Sequence, residues 1–285
     1  MSKFFNETLK TQIPAQNSRG FELAGLQEPV TTTEVQPEVG TYEFDSPLPE
    51  VAQVKKIEIP EAMLLPRKFE GSHSLQSAEE AYRALRTRLF RMRSTMDLQS
   101  IIITSSVPGE GKTLTSFNLA LCCSQLKDIR VLLIDGDIRT GGLTRSLGSQ
   151  TSVGLADVLT GKCEAEGAVF ETNHSNLYVC GSGSTEHSPG ELYAGKRWPE
   201  FMAWCRASFQ LVIVDSPPIM TLSDVELMSA ACDGVLLAVR ARQTRRDVLQ
   251  KFASQIDAKK LLGIVYNFSE GPHHKYHYSG KQSDK

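Results

Sequence analysis

The sequence predicts an α/β fold, a three-layer sandwich around a mostly parallel sheet. Three observations predict it. Short continuous apolar runs recur at 100–105, 131–135, 176–180, 211–215, 234–239 and 262–266. Runs without polar alternation suit strands buried on both faces. Segments of helical character lie between many of them, at 111–126, 197–207, 223–232 and 244–257. Strands separated by helices imply parallel neighbours joined by right-handed crossovers. The chain has 285 residues, 40% hydrophobic and 22% charged, with no internal repeat and no heptad pattern. That is the composition of a globular chain, long enough for one large domain or two small ones.

Residues 1–75 stand apart. They hold seven of the thirteen prolines and carry a net charge of -4. No helical or strand period persists in them, so they cannot bury enough apolar surface to offset chain entropy. They read as a mostly disordered arm, in which short apolar pieces such as Met63-Leu64-Leu65 could dock on a partner or on the domain. Ser77 and Glu80 then have capping-box spacing, which marks a helix start. Ala78, Tyr82, Leu85, Leu89 and Met92 follow at helical intervals. The alternation of strands and helices occupies 76–270, and 271–285 is a polar, exposed tail with three of the six histidines.

The chemistry concentrates after the first strand of that alternation. Ser106-Val107-Pro108-Gly109-Glu110-Gly111-Lys112-Thr113 sits between an apolar run and a helix. Strand, tight loop, GK[ST] and helix make a phosphate-binding P-loop. Val107, Pro108, Gly109, Glu110, Gly111, Lys112, Thr113 and Leu114 are the predicted cradle, through their backbone N–H groups (Pro108 has none and only shapes the turn), helped by the helix N-terminus. Lys112 supplies a cation for the β and γ phosphates, and the Thr113 hydroxyl is placed to bind Mg²⁺. Ser106 stands where the general pattern has Gly, but it is small enough for the loop to survive. Two further strand ends supply acids, Asp135 and Asp137 after 131–134 and Asp215 after 211–214. Ligands of open parallel sheets bind beyond the carboxyl ends of the strands, which brings these acids to the P-loop. Asp215 is the natural Mg²⁺ partner, directly or through a metal-bound water. Asp135 and Asp137 can divide metal binding and proton acceptance between them.

Composition narrows the alternatives. Lys plus Arg is 31 against 33 for Asp plus Glu, and residues 76–285 carry only +2, which argues against nucleic-acid binding. No apolar run approaches the ~20 residues of a membrane-spanning helix. Residues 1–12 lack the apolar core of a secretory signal. The six cysteines form no CxxC pair and read as reduced, mostly buried thiols of a cytosolic protein.

Taken together, Ser105–Thr113, Leu133-Ile134-Asp135-Gly136-Asp137-Ile138-Arg139 and Val212-Ile213-Val214-Asp215-Ser216-Pro217-Pro218 resemble the Walker A, A′ and B motifs of the bacterial tyrosine kinase family. The resemblance covers roughly 77–268, including Gly154–Leu159, Pro189–Leu192 and Asp233–Leu237. It implies a P-loop fold of the partition-ATPase-like group and an ATP- and Mg²⁺-dependent autokinase of capsule and exopolysaccharide assembly. By the same resemblance, Thr113, Asp135 and Asp215 position the metal and Asp137 orients or deprotonates the incoming tyrosine. Glu80, Arg83 and Arg86 form the ExxRxxR contact of a ring of subunits, and Tyr276 and Tyr278 are acceptors phosphorylated in trans. With no membrane helix, the chain resembles the separate type of kinase. It is then expected in the cytoplasm, at the inner face of the membrane through a membrane-bound chain-length regulator. Thr140-Gly141-Gly142 departs from the family, which commonly has a basic residue and a proline there. The rivals are a partition or division ATPase and a non-catalytic nucleotide-binding regulator of polysaccharide assembly. Val107 stands where the first rival's signature lysine would be.

Overall fold

The computed structural model describes residues 3–4, 55–64, 73–219 and 222–268. In chain order the elements are β1 (Lys3–Phe4), β2 (Lys55–Ile57), a 3₁₀ turn at Glu61–Met63, α1 (His73–Arg93), β3 (Ser100–Ser105), α2 (Lys112–Ser124), β4 (Val131–Asp135), α3 (Gly142–Ser146) and α4 (Leu155–Thr160). A second 3₁₀ turn at Ala165–Ala168 leads into β5 (Val169–Thr172), β6 (Leu177–Cys180), α5 (Pro189–Ala194), α6 (Arg197–Ser208) and β7 (Leu211–Asp215). The order closes with α7 (Leu222–Ala230), β8 (Gly234–Arg240), α8 (Arg246–Ala253) and β9 (Leu261–Asn267). The sheet order is β1-β9-β8-β3-β7-β4-β6-β5-β2. The strands from β9 to β6 are parallel, whereas β5 runs antiparallel to β6 and β1 antiparallel to β9.

Three consecutive isoleucines in β3 show how the layers form. Successive strand residues point to opposite faces. Ile101 and Ile103 join the cluster under α1 and α2, with Leu85, Leu89, Phe117 and Leu133. Ile102 joins the opposite cluster under α4 to α7, with Trp198, Phe201, Val214 and Met228. Both faces of β3, β4 and β7 are buried, so these strands carry no polar alternation. The expected three-layer sandwich is therefore present, and each of the six predicted strands lies within two residues of an observed one.

Four local readings need correction. Residues 55–64 belong to the fold rather than to an arm: Ile57 and Ile59 are buried, and Met63 and Leu64 dock on the α1–α2 cluster as their apolar run allowed. Helix α1 begins at His73, so Ser77 is inside it. The Pro189–Leu192 turn is the first turn of a helix, with Pro189 at its start, where its missing N–H costs nothing. Strand β5 and the short helices α3 and α4 complete the alternation where no expectation stood. The tail 271–285, and most of residues 1–54, lie outside the described residues.

Candidate active site

The site forms where β3, β4 and β7 end side by side. Asp135 and Asp215 are register partners on adjacent strands, and Ile103 pairs with Asp215 on the other side. The chain then turns from β3 into the P-loop. Gly109 and Gly111 have φ of 82° and 87°, backbone that L side chains rarely adopt. A Cβ on Gly111 would also come within 2.7 Å of the Asn267 amide nitrogen.

The loop is held by groups from distant parts of the chain. Glu110, only 2% exposed, turns its carboxylate inward. It accepts the Val107 N–H at 2.9 Å and the Thr244 hydroxyl. Asn267, the last residue of β9, donates from its side-chain nitrogen to the Glu110 carbonyl and to the Thr115 hydroxyl, each at 2.9 Å. The Ser105 hydroxyl donates to the Val107 carbonyl at 2.9 Å. Ser106 is fully buried, consistent with a small residue being needed there. Leu114 is exposed at the mouth of the loop.

Lys112 Nζ stands 3.7 Å from Asp137 Oδ2 and 3.3 Å from the Thr113 hydroxyl. Asp137 is nearly buried, and its Oδ1 accepts the Thr140 N–H at 3.2 Å. The Gly141 N–H donates to the Asp137 carbonyl at 2.6 Å, and Gly141 has φ of 53°. Thr140-Gly141-Gly142 thus closes the turn on Asp137 and starts α3. The two neighbouring acids differ. Asp135 Oδ2 accepts both the N–H and the hydroxyl of Thr144, at 2.7 and 2.6 Å, and its Oδ1 accepts the Asp137 N–H at 3.2 Å. Asp215 Oδ1 accepts the Ser116 hydroxyl at 3.1 Å, its Oδ2 is buried without a partner at hydrogen-bond distance, and the Thr113 hydroxyl lies near enough to help stabilise the carboxylate. Burial pushes the Asp215 carboxyl up to about 7, against the opposing pull of Lys112. Burial also raises Asp135, against the Thr144 donors.

Sequence reasoning did not find Thr144, Ser116, Tyr193 or Asn267. The Tyr193 hydroxyl donates to the Gly136 carbonyl at 2.6 Å, and the Gly136 N–H donates to the Asp215 carbonyl at 2.7 Å. These bonds brace the turn between the two acids of the β4 end. Only Asn267 left a signal, a polar residue closing an apolar run.

An orphaned carboxylate oxygen beside a P-loop fits a hydrated divalent cation. Among the described residues no three His, Cys, Asp or Glu side chains cluster to hold a metal. A cation here would depend on nucleotide oxygens and water as well as protein groups, as Mg²⁺ does. Far from the site, Glu80 and Arg83 are exposed on α1. Arg83 pairs with Glu79 at 3.2 Å, and Arg86 donates to the Cys122 carbonyl in the last turn of α2 at 2.7 Å. No helix among the described residues is long and apolar enough to cross a membrane.

Fold and phosphate loop define a P-loop nucleotide-binding protein, and residues 98–261 match a family described as an AAA domain. The chain is 32% identical over 208 residues to "Tyrosine-protein kinase YwqD" of Bacillus subtilis, covering 72% of this chain and 87% of that one. It is 31% identical over 192 residues to "Tyrosine-protein kinase wzc" of Salmonella typhimurium, covering 67% of this chain but 27% of that longer protein. The solved kinase domain of Escherichia coli tyrosine kinase ETK superposes with a TM-score of 0.62 at 25% identity, covering 76% of this chain and 91% of that one. The chain belongs to the bacterial tyrosine kinase family.

Proposed function

We propose that this chain is an ATP- and Mg²⁺-dependent protein-tyrosine autokinase that regulates capsular or exopolysaccharide synthesis and export. The observation that carries this reading is the convergence of Lys112, Thr113 and three strand-end acids, one with an unsatisfied buried oxygen. Amides of residues 109–114 and the Lys112 ammonium hold the triphosphate of the substrate, since the Val107 N–H is engaged by Glu110 and Pro108 has none. Thr113, Asp135 and Asp215 would hold Mg²⁺, which when bound offsets negative charge on the phosphates. Asp137 orients the incoming phenol and takes its proton, and Lys112 lies close enough to stabilise the ionised carboxylate. Because Asp135 and Asp137 sit on one braced turn, metal ligand and proton acceptor are positioned together, so catalysis is mainly placement and charge stabilisation.

Tyr276 and Tyr278 are the proposed acceptors, phosphorylated in trans within a ring whose contacts include Glu80, Arg83 and Arg86. The exposure of Glu80 and Arg83 supports that contact. A membrane-bound chain-length regulator is the proposed activator and would bring the chain to the inner face of the membrane.

Purified chain incubated with ATP and Mg²⁺, with and without the regulator's cytoplasmic tail, should form phosphotyrosine. Lys112→Met should reduce it at least about a hundredfold. ATP hydrolysis without tyrosine transfer would instead favour a partition-type ATPase, and nucleotide binding with neither activity a regulator.

A further inference from the structure

We infer that Asn267 is a positioning residue of the phosphate loop, which turns the Gly111 amide toward bound nucleotide; this rests on the nucleotide-binding reading above. Asn267 closes β9 and stands 157 residues from Glu110. Its own backbone is fixed. It pairs with Arg240 in the register of β8 and β9, and its carbonyl accepts the Ala241 N–H at 2.9 Å. From that anchor the residue, only 7% exposed, uses both protons of its side-chain nitrogen. One goes to the Glu110 carbonyl and the other to the Thr115 hydroxyl, each at 2.9 Å.

The bond to Glu110 sets the orientation of a peptide. The Glu110 carbonyl and the Gly111 N–H belong to one planar trans unit, so they point in opposite directions. With the carbonyl held by Asn267, the Gly111 N–H is turned away from β9 and into the loop. Positive φ at Gly109 and Gly111 alternates with negative φ at Glu110, the kind of alternation by which successive N–H groups of a turn converge on an anion.

The loop's other bonds do not fix this peptide. The Glu110 carboxylate takes the Val107 N–H and the Thr244 hydroxyl, which ties down the side chain. The Gly111 carbonyl accepts the Thr115 N–H at 2.9 Å, which starts α2. Between these two anchors the Glu110–Gly111 peptide can flip, because glycine accepts φ of either sign about equally. After a flip the Glu110 carbonyl oxygen would face the phosphates and repel them. Asn267 selects the orientation that binds. An amide suits the position, since a carboxylate there would set one acceptor oxygen against another.

The test uses the full chain carrying Asn267→Asp, with Asn267→Ala beside it should the new carboxylate prevent folding. Calorimetric titration with ATP and Mg²⁺ should show the Kd raised about tenfold or more, as for the loss of a hydrogen bond to a charged group. KM for ATP should rise by a similar factor while kcat at saturating ATP falls less than about threefold, because the amide grips ground state and transition state alike. In wild-type chain labelled with heavy nitrogen at glycine, the Gly111 amide resonance should move downfield when ATP binds, and much less in Asn267→Ala at saturating ATP. A role in the fold alone would lower the melting temperature and leave the Kd of the folded variants unchanged.

Unchanged ATP affinity in a folded variant, a fall in kcat at constant KM, or an equal Gly111 shift in wild type and variant would overturn this inference alone. So would a wild-type Gly111 resonance that stays in place when ATP binds, a result that needs no variant. Wild-type chain that binds no ATP would overturn the nucleotide-binding reading and this inference with it.

Discussion

The ends of β4 and β7 place the same residue at the same height, yet they offer it different surroundings. Asp135 and Asp215 are register partners, and both are fully buried. Asp135 receives three donors, two from Thr144 of α3 and one from Asp137, mostly on Oδ2. Asp215 is faced by hydroxyls alone, Ser116 at 3.1 Å and Thr113 nearby, and keeps an oxygen with no partner at hydrogen-bond distance. Burying a carboxylate is unfavourable unless hydrogen bonds or an opposite charge compensate it. At Asp135 the fold supplies part of that compensation itself, though burial still raises the carboxyl. At Asp215 it is left to Lys112 and to whatever cation accompanies the nucleotide. The β4 end is thus built for rigidity, and the β7 end for binding.

Exchange of each acid for its amide should break this symmetry, most strongly at β7. Asp215→Asn should lower phosphotyrosine formation about a hundredfold, as loss of a preorganised electrostatic partner does. It should also stabilise the nucleotide-free protein above neutral pH. The folded pKa of Asp215 is raised to about 7, so folding favours the protonated acid. That stability is full below about pH 4, declines as pH rises and is gone above about pH 7, a loss on the order of 4 kcal/mol. Denaturant unfolding at pH 5 and pH 8 should show a smaller pH-dependent loss in the variant than in the wild type. An equal loss in both would remove Asp215 from the account.

Asp135→Asn should act in the opposite sense on stability. An amide cannot accept from Thr144 and Asp137 at once, so a buried donor is orphaned at a cost of about 1–3 kcal/mol. Unfolding at pH 8 should therefore separate the two variants in opposite directions from wild type. Ser116→Ala is the smallest change. It removes the protein hydroxyl bound to Asp215 Oδ1, with an expected loss of about 1 kcal/mol at pH 8. A larger loss there than for Asp135→Asn would reverse the assignment of which strand end is the rigid one.

What could be read from the sequence divides along the same line. Strands β3, β4 and β7 are unmistakable because burial on both faces forces continuous apolar runs. Strands β2 and β5 sit at the sheet margin in runs of three and four residues, two of them lysines and one a glutamate, and leave no such trace. The docking of Met63 and Leu64 was anticipated by their apolar run, but Ile57 and Ile59 were hidden because they lie singly among lysines, a glutamate and a proline. The P-loop is visible because its chemistry is contiguous. Its supports are not, since Asn267 stands 157 residues from Glu110 and Thr144 nine residues from Asp135. No spacing rule anticipates which hydroxyl folding will bring to a buried acid.

The most direct measurement is the Mg²⁺ dependence of ATP affinity, by titration calorimetry on wild type and Asp215→Asn. The account predicts that Mg²⁺ tightens ATP binding by about tenfold or more in the wild type, a difference of at least ~1.4 kcal/mol, and by little in the variant. Equal tightening in the two proteins would show that the unmatched oxygen at the end of β7 takes no part in holding the metal.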